Sequence, residues 1–169
     1  SYSVTGVQSV LFRSEEQQRV ILDRFFEKVH VGDIVYHLGD LAFGPAAFQQ
    51  FAQQFEDAYG SRVLFHYIEG NHDGRIRSVI RKFATTYSRI LEISWENQPI
   101  SLCHYIMYSC SKSHFNAWQL YGHHHAAVPT QHIGKRMNVC VDLHDFYPIS
   151  IEAVQKWMEF QPNNWDMLS

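Results

Sequence analysis

Helix-like and strand-like segments alternate through the first half of this 169-residue chain. Apolar residues spaced three and four apart predict helices, and short apolar runs between glycines predict strands. The predicted order is a helix over about 15–29, a strand at 34–38, a helix that begins at Pro45, a strand at 62–68 and a helix over about 76–83. Such alternation is typical of an α/β fold in which helices cover a largely parallel sheet.

The second half of the chain is richer in strands. Strand-like runs lie at 90–95, 100–104, 118–121 and 137–143, with a plausible hairpin turn at Asn97-Gln98-Pro99 between the first two. A final amphipathic helix is predicted over 151–160, and the polar tail over 160–169 is expected to be loose. Because no linker or repeat divides the sequence, we expect a single domain over 1–169, built of layered sheets covered by helices.

Composition argues against several functional classes. The formal net charge of −3 does not favour an extended surface for a nucleic-acid backbone. No apolar run approaches the roughly 18 residues that span a bilayer, and the N-terminus lacks the pattern of a signal peptide. The three cysteines show no disulfide-like spacing and indicate free thiols in a reducing cytosol. We therefore expect a cytoplasmic protein without a membrane partner.

Polar side chains follow the ends of four predicted strands. These are Asp40 after 34–38, Asn71-His72-Asp73 after 62–68, His104 at the end of 100–104, and His123 to His125 after 118–121. In α/β sheets the carboxyl ends of strands form the functional crevice. Each residue alone has an ordinary alternative, because Asp and Asn are common in turns and a histidine can be a hydrogen-bonded core residue. Together, carboxylate, amide and imidazole ligands suit Mn²⁺, Fe, Zn²⁺, Co²⁺ or Ni²⁺ rather than Ca²⁺.

These segments resemble the motif blocks of the calcineurin-like metallophosphoesterase superfamily, in particular its small bacterial and phage members. Four blocks match in order, namely Gly39-Asp40, Gly70-Asn71-His72-Asp73, Leu102-Cys103-His104-Tyr105 and Gly122-His123-His124-His125. The resemblance covers roughly residues 10–155. It implies hydrolysis of a phosphomonoester or phosphodiester, with nucleotides among the candidate substrates, by a metal-activated hydroxide.

The resemblance also implies a set of metal ligands. Asp40 would bridge two ions, of which Mn²⁺ is the first expectation. Asn71, His104 and His123 would complete one site, and His125 would belong to the other. The chemistry agrees, because two neighbouring cations can polarise a phosphoryl group and neutralise developing charge.

Two further roles follow from the same resemblance. His72 would stabilise the phosphoryl oxygens or protonate the leaving alkoxide, with Asp73 orienting its ring. A histidine suits this task because it titrates near neutral pH, and a carboxylate partner fixes its tautomer. Arg75, next to the loop, is a candidate phosphate contact, although a solvated helix face is the more common place for such an arginine.

The first block of the family, Asp-x-His at the end of the first strand, is not found in this sequence. No Asp precedes Asp23 and no His precedes His30. If Phe12 is aligned with the aromatic residue that commonly follows this block, Ser1 and Ser3 take the positions of its Asp and His. Either the chain starts after the block or other residues replace it, so the expectation falls from two ions to one complete site. The N-terminal strand is accordingly expected to be missing or altered, which would expose an edge. The alternative function is a catalytically degenerate module that binds a protein or a nucleotide.

Overall fold

The computed structural model describes residues 2–5, 15–42, 44–125 and 134–168. Within these ranges nine strands and four α-helices form a mixed α/β architecture, which confirms the predicted fold class. The strands are β1 (Tyr2–Thr5), β2 (Ile34–His37), β3 (Leu64–Ile68), β4 (Thr86–Ser88), β5 (Ile90–Trp95), β6 (Gln98–Cys103), β7 (Trp118–Tyr121), β8 (Arg136–Asn138) and β9 (Ile149–Ser150). The helices are α1 (Glu15–Lys28), α2 (Pro45–Tyr59), α3 (Arg77–Phe83) and α4 (Ile151–Glu159). None of the described helices is both long and apolar enough to cross a membrane.

The strands form two sheets. The first has the order β4-β3-β2-β1-β9, in which β1 to β4 run parallel and β9 pairs antiparallel with β1. The second has the order β5-β6-β7-β8, in which β5 is antiparallel to β6 and the other pairs are parallel. The predicted site residues therefore follow the carboxyl ends of β2 and β3 in one sheet and of β6 and β7 in the other.

Apolar cores cover both faces of the first sheet. Successive residues of a strand point to opposite faces, so Val35 packs in the core on the helix side and Tyr36 in the other core. The helix-side core is aromatic: Phe51 of α2 lies edge-on to Phe25 of α1, with ring centroids 5.6 Å apart. The other core joins residues of both sheets to α4, including Leu102 of β6. Because both faces are apolar, polar side chains gather at the carboxyl edge.

The N-terminal strand that was expected to be missing or altered is present as the short β1. It pairs with β2 on one side and β9 on the other, so the predicted exposed edge at this place is wrong. The alignment that put the first block at Ser1 and Ser3 is also wrong, because Ser3 pairs with Val35 within the strand. The end of β1 is Thr5, and the sequence of residues 6–14, which lie outside the described residues, contains neither Asp nor His.

Two local predictions in the second half need correction. The run 137–143 is not one strand, because β8 ends at Asn138 and Val141–Leu143 forms a 3₁₀ helix. The hairpin between β5 and β6 turns at Glu96 and Asn97, whose φ angles are 46° and 67°. Positive φ at both turn residues is the two-residue geometry that matches strand twist, so Gln98 already belongs to β6.

The tail after α4 is docked rather than loose. The side chain of Asn164 is buried and donates hydrogen bonds to the carbonyl oxygens of Ser113 and Ala117 at 3.0 Å and 2.8 Å. Asp166 accepts a hydrogen bond from the Ser113 hydroxyl at 2.6 Å. The polar composition of the tail thus reflects hydrogen bonding to the loop before β7, not solvation.

Candidate metal centre

Two glycine-containing loops touch at the carboxyl ends of β2 and β3. Gly39 has a φ of +94°, and a Cβ atom there would lie 2.6 Å from Cα of Gly70. A Cβ atom on Gly70 would lie 2.7 Å from Cγ of Asp40. Glycine is required at both places because any side-chain atom would force the loops apart. The approach lets the backbone N–H of His72 donate to Oδ1 of Asp40 at 2.8 Å.

Four predicted ligands from four strand ends come together. Nε2 of His104 lies 2.8 Å from Oδ1 of Asn71 and 3.3 Å from Oδ2 of Asp40. Nδ1 of His123 lies 3.1 Å from the same Asn71 oxygen and 3.2 Å from Nε2 of His104. Ligand atoms that share one octahedral ion at bond lengths near 2.1 Å stand about 3 Å apart. The observed spacing agrees with that value.

The cluster is rich in lone pairs. Nδ1 of His104 lies 2.7 Å from the carbonyl oxygen of Leu38, which can only accept, so Nδ1 donates its proton there. In the neutral ring Nε2 is then an acceptor. Oδ2 of Asp40 is buried and has no hydrogen-bond partner among the described residues, and the amide oxygen of Asn71 can only accept. Facing acceptors are stabilised by a cation between them, so these residues fit a divalent metal ion.

Charges around the cluster keep Asp40 ionised. Burial acts to raise the pKa of Asp40, but the His104 ring and the backbone N–H of His72 lower it, and the lowering prevails. Burial acts to lower the pKa of His104, yet Asp40 and the Leu38 carbonyl together raise it above its ordinary value. A proton on Nε2 of His104 is therefore the competitor that a metal ion must displace.

The Asp73 side chain connects the loop of Asp40 to the loop of Gly70. It is fully buried and accepts hydrogen bonds from the backbone N–H groups of Gly70 at 2.7 Å and Asp40 at 3.1 Å. The hydroxyl of Tyr67 donates to it at 2.9 Å. Burial outweighs these hydrogen bonds and raises the pKa of Asp73. The carboxylate therefore positions the loop backbone, and its predicted orientation of the His72 ring stays a prediction.

The other two predicted residues of this loop lie on its exposed side. His72 is exposed, as a group that meets a substrate must be, and its acid role stays a prediction. Arg75 ends the short 3₁₀ helix Asp73–Arg75 and is also exposed. Arg75 is not among the residues that line the cleft next to the cluster.

His125 is placed in a different group of side chains. Its Nδ1 lies 2.7 Å from Oδ2 of Asp142, and Cys140 completes that group. His123 has a left-handed φ of 67°, so the segment is not extended and a two-residue step does not return to the same face. Among the described residues, the Asp40 cluster offers ligands for one ion, and His125 does not join it.

A cavity of about 440 Å³ adjoins the cluster. Asn71 and His104 line it together with Glu69, Arg77 and Arg89. The carboxylate of Glu69 pairs with both guanidinium groups, at 3.1 Å to Nε of Arg89. Burial acts to raise the pKa of Glu69, but the hydrogen bonds from Arg89 and Arg77 lower it. Two cations and one anion leave one net positive charge on the wall of the cavity.

Glu69 and Arg89 were not predicted from the sequence. An acidic residue directly before Gly70, at the end of a buried strand, is a signal that could have pointed to Glu69. Arg89 has no such signal, because the pairing of β3 with β4 brings it there. The backbone N–H of Glu69 donates to the carbonyl oxygen of Ser88 at 2.8 Å, which places the next residue beside the Glu69 side chain.

Comparisons with known proteins identify the family. The chain is 27% identical over 150 residues to the uncharacterised protein MJ1445 of Methanocaldococcus jannaschii, covering 86% of this chain and 77% of that protein. The crystal structure of AQ665, a protein of unknown function from Aquifex aeolicus, has a similar fold, with a TM-score of 0.72 and 18% identity. That similarity covers 93% of this chain and 100% of the other. Residues 16–148 match the calcineurin-like phosphoesterase superfamily domain, and the chain therefore belongs to that superfamily.

Proposed function

We propose that this chain is a metal-dependent phosphoesterase that hydrolyses a phosphomonoester or phosphodiester, with a nucleotide among the candidate substrates. The supporting observation is that one cleft is lined by donors of the metal type, Asn71 and His104, and by two arginines. Mn²⁺ is the first candidate, and Fe, Zn²⁺, Co²⁺ or Ni²⁺ suit the same donors. Such an ion supplies polarisation of the phosphoryl group and activation of water.

The chain's own residues have separate tasks in this proposal. Arg77 and Arg89 bind the non-reacting phosphate oxygens, for which the planar guanidinium group is well shaped. The exposed His72 donates a proton to the leaving alkoxide. Tyr105, which lines the same cleft and is 46% exposed, offers an aromatic face to a base or sugar. The three cysteines form no disulfide among the described residues, which suits a cytoplasmic location for this activity.

The test is hydrolysis of an aryl phosphodiester and an aryl phosphomonoester by the full chain, with Mn²⁺ and with a chelator. We expect Mn²⁺-dependent turnover that Asn71→Ala lowers at least about tenfold, because a metal ligand is lost. The matched control is Asn163→Ala, at an exposed position of the docked tail, which should retain activity. Arg89→Gln should raise KM more than it lowers kcat, because the arginine acts in binding. Absence of Mn²⁺-dependent turnover of either ester by the folded chain would refute the catalytic proposal.

The sequence after β1 supports a second candidate. The sequence of residues 6–14 contains no Asp or His, and His125 lies with Asp142, so the described residues at the Asp40 cluster supply ligands for one ion. A module that binds a nucleotide or a protein without cleavage would need only the positive cleft and one ion. It predicts Mn²⁺ binding and retention of a nucleotide without product formation. The same assays therefore separate the two candidates.

A further inference from the structure

A second group of metal-ligand side chains lies at the other end of the His123–His125 segment. Oδ2 of Asp142 is 2.7 Å from Nδ1 of His125 and 3.2 Å from Sγ of Cys140. One donor atom from each of the three residues lies within 4.8 Å of the others. Cys140 is fully buried, and the His125 ring is about half exposed. The group is thus anchored in the protein and reachable from solvent.

One side chain fixes the two segments that supply these donors. Nδ2 of Asn138, at the end of β8, donates to the carbonyl oxygen of His124 at 2.8 Å. Oδ1 of Asn138 accepts from the backbone N–H of Cys140 at 3.0 Å. His124, which precedes His125, and the backbone of Cys140 are therefore held in register before any ion binds. Such support of ligands by outer hydrogen bonds is typical of metal sites.

The donor set differs from that of the Asp40 cluster. Imidazole, thiolate and carboxylate together suit Zn²⁺, and the thiolate disfavours Mn²⁺. Nitrogen, sulfur and oxygen ligands of one tetrahedral zinc ion stand roughly 3.3–3.6 Å apart, as follows from bonds near 2.1 and 2.3 Å. Both measured contacts are shorter than this, so binding of zinc would open the His125–Asp142 pair by less than about 1 Å and the Cys140–Asp142 pair by less than about 0.5 Å. Three protein ligands plus a fourth ligand such as water form a recognised type of zinc site, and the described residues supply three.

We propose that His125, Cys140 and Asp142 form a zinc site separate from the Asp40 cluster. His123 and His125 are two residues apart, so an ion at the second site fixes one end of the segment whose other end supplies a donor to the first. The site is chemically independent of phosphoester hydrolysis, and its occupancy can be measured whether or not the chain turns over substrate.

The test is a titration of the metal-free full chain with Co²⁺, read as the thiolate-to-Co²⁺ charge-transfer band in the near ultraviolet. We expect the band in the wild type, in Asn71→Ala and in the matched cysteine control Cys110→Ser, and its loss in Cys140→Ser. A wild type without the band, or a band that survives in Cys140→Ser, would overturn the proposal. The first result would identify a hydrogen-bonded trio without an ion.

A second variant guards against misfolding, because Cys140 is fully buried. His125→Ala removes a ring that is about half exposed, so it should lower the unfolding midpoint of the metal-free chain only slightly despite the lost contact with Asp142. We expect it to weaken Zn²⁺ binding at least about tenfold by competition with a chromophoric chelator. Unchanged Zn²⁺ affinity in this variant would also contradict the assignment.

Discussion

Replacement of Tyr67 by phenylalanine tests the network that supports the two loops of the candidate metal centre. Tyr67 is fully buried, and its hydroxyl donates to Asp73 at 2.9 Å and accepts from the backbone N–H of Leu41 at 3.1 Å. A hydrogen bond to a charged acceptor contributes about 1.5–3 kcal/mol, and a buried N–H left without a partner costs about 1–3 kcal/mol. Because the two effects overlap, we expect Tyr67→Phe to lower the free energy of unfolding by about 2–4 kcal/mol.

The assay is urea unfolding of the metal-free chain, with Tyr59→Phe as the matched control. Tyr59 is also buried. Its hydroxyl donates to a neutral acceptor, the carbonyl oxygen of Val29, at 2.9 Å. A neutral hydrogen bond contributes about 0.5–1.5 kcal/mol, so Tyr67→Phe should be at least about 0.5 kcal/mol more destabilising. The slope of free energy against urea should be equal for both variants. Equal losses of stability would refute the idea that the Asp73 network stabilises these loops.

Two further substitutions probe the same region. Gly70→Ala places a Cβ 2.7 Å from Cγ of Asp40 and should cost about 1–3 kcal/mol of stability and weaken Mn²⁺ binding. Gly74→Ala is the control: no described atom lies within 4 Å of its Cβ, so stability should change by less than about 1 kcal/mol. Calorimetric titration with Mn²⁺ and urea unfolding measure both effects, and equal behaviour of the two variants would contradict the close approach of the loops as the cause. Burial lowers the pKa of His37 from 6.5 to about 3, so between these values the unfolded chain binds one more proton and stability falls as pH falls. From pH 7 to pH 5 the wild type should therefore lose about 2 kcal/mol relative to His37→Gln, and parallel pH profiles would show that His37 is not the cause.

The fold was predictable where the sequence pattern is local. Helices α1 and α2 have strong apolar periodicity and clear start signals, and they begin at Glu15 and Pro45 as expected. Three strands, β1, β4 and β9, were missed because each has four residues or fewer and forms only by pairing with distant segments. The tail was misjudged for a similar reason: the partners of Asn164 lie about 50 residues away, at Ser113 and Ala117.

The site was predictable where the strand-end rule applies. Asp40, Asn71, His104 and His123 follow four different strands, and parallel sheets bring such positions to one edge. The rule could not predict that His123 and His125 lie in different clusters, because the left-handed backbone at His123 is not visible in the sequence. It also could not pair His125 with a residue 17 positions later that lies in a 3₁₀ helix where a strand was predicted.

The number of bound ions does not by itself report the kind of centre in this chain. In the family pattern two ions share a bridging carboxylate, and a stoichiometry of two would be taken as such a pair. Here Oδ2 of Asp40 faces His104 and Asn71, while His125 lies with a thiol and a second carboxylate. Two ions could then be bound at two separate sites, one with oxygen and nitrogen ligands and one with sulfur. Because only the second site has a thiolate, ligand chemistry rather than stoichiometry distinguishes a shared pair from two single ions.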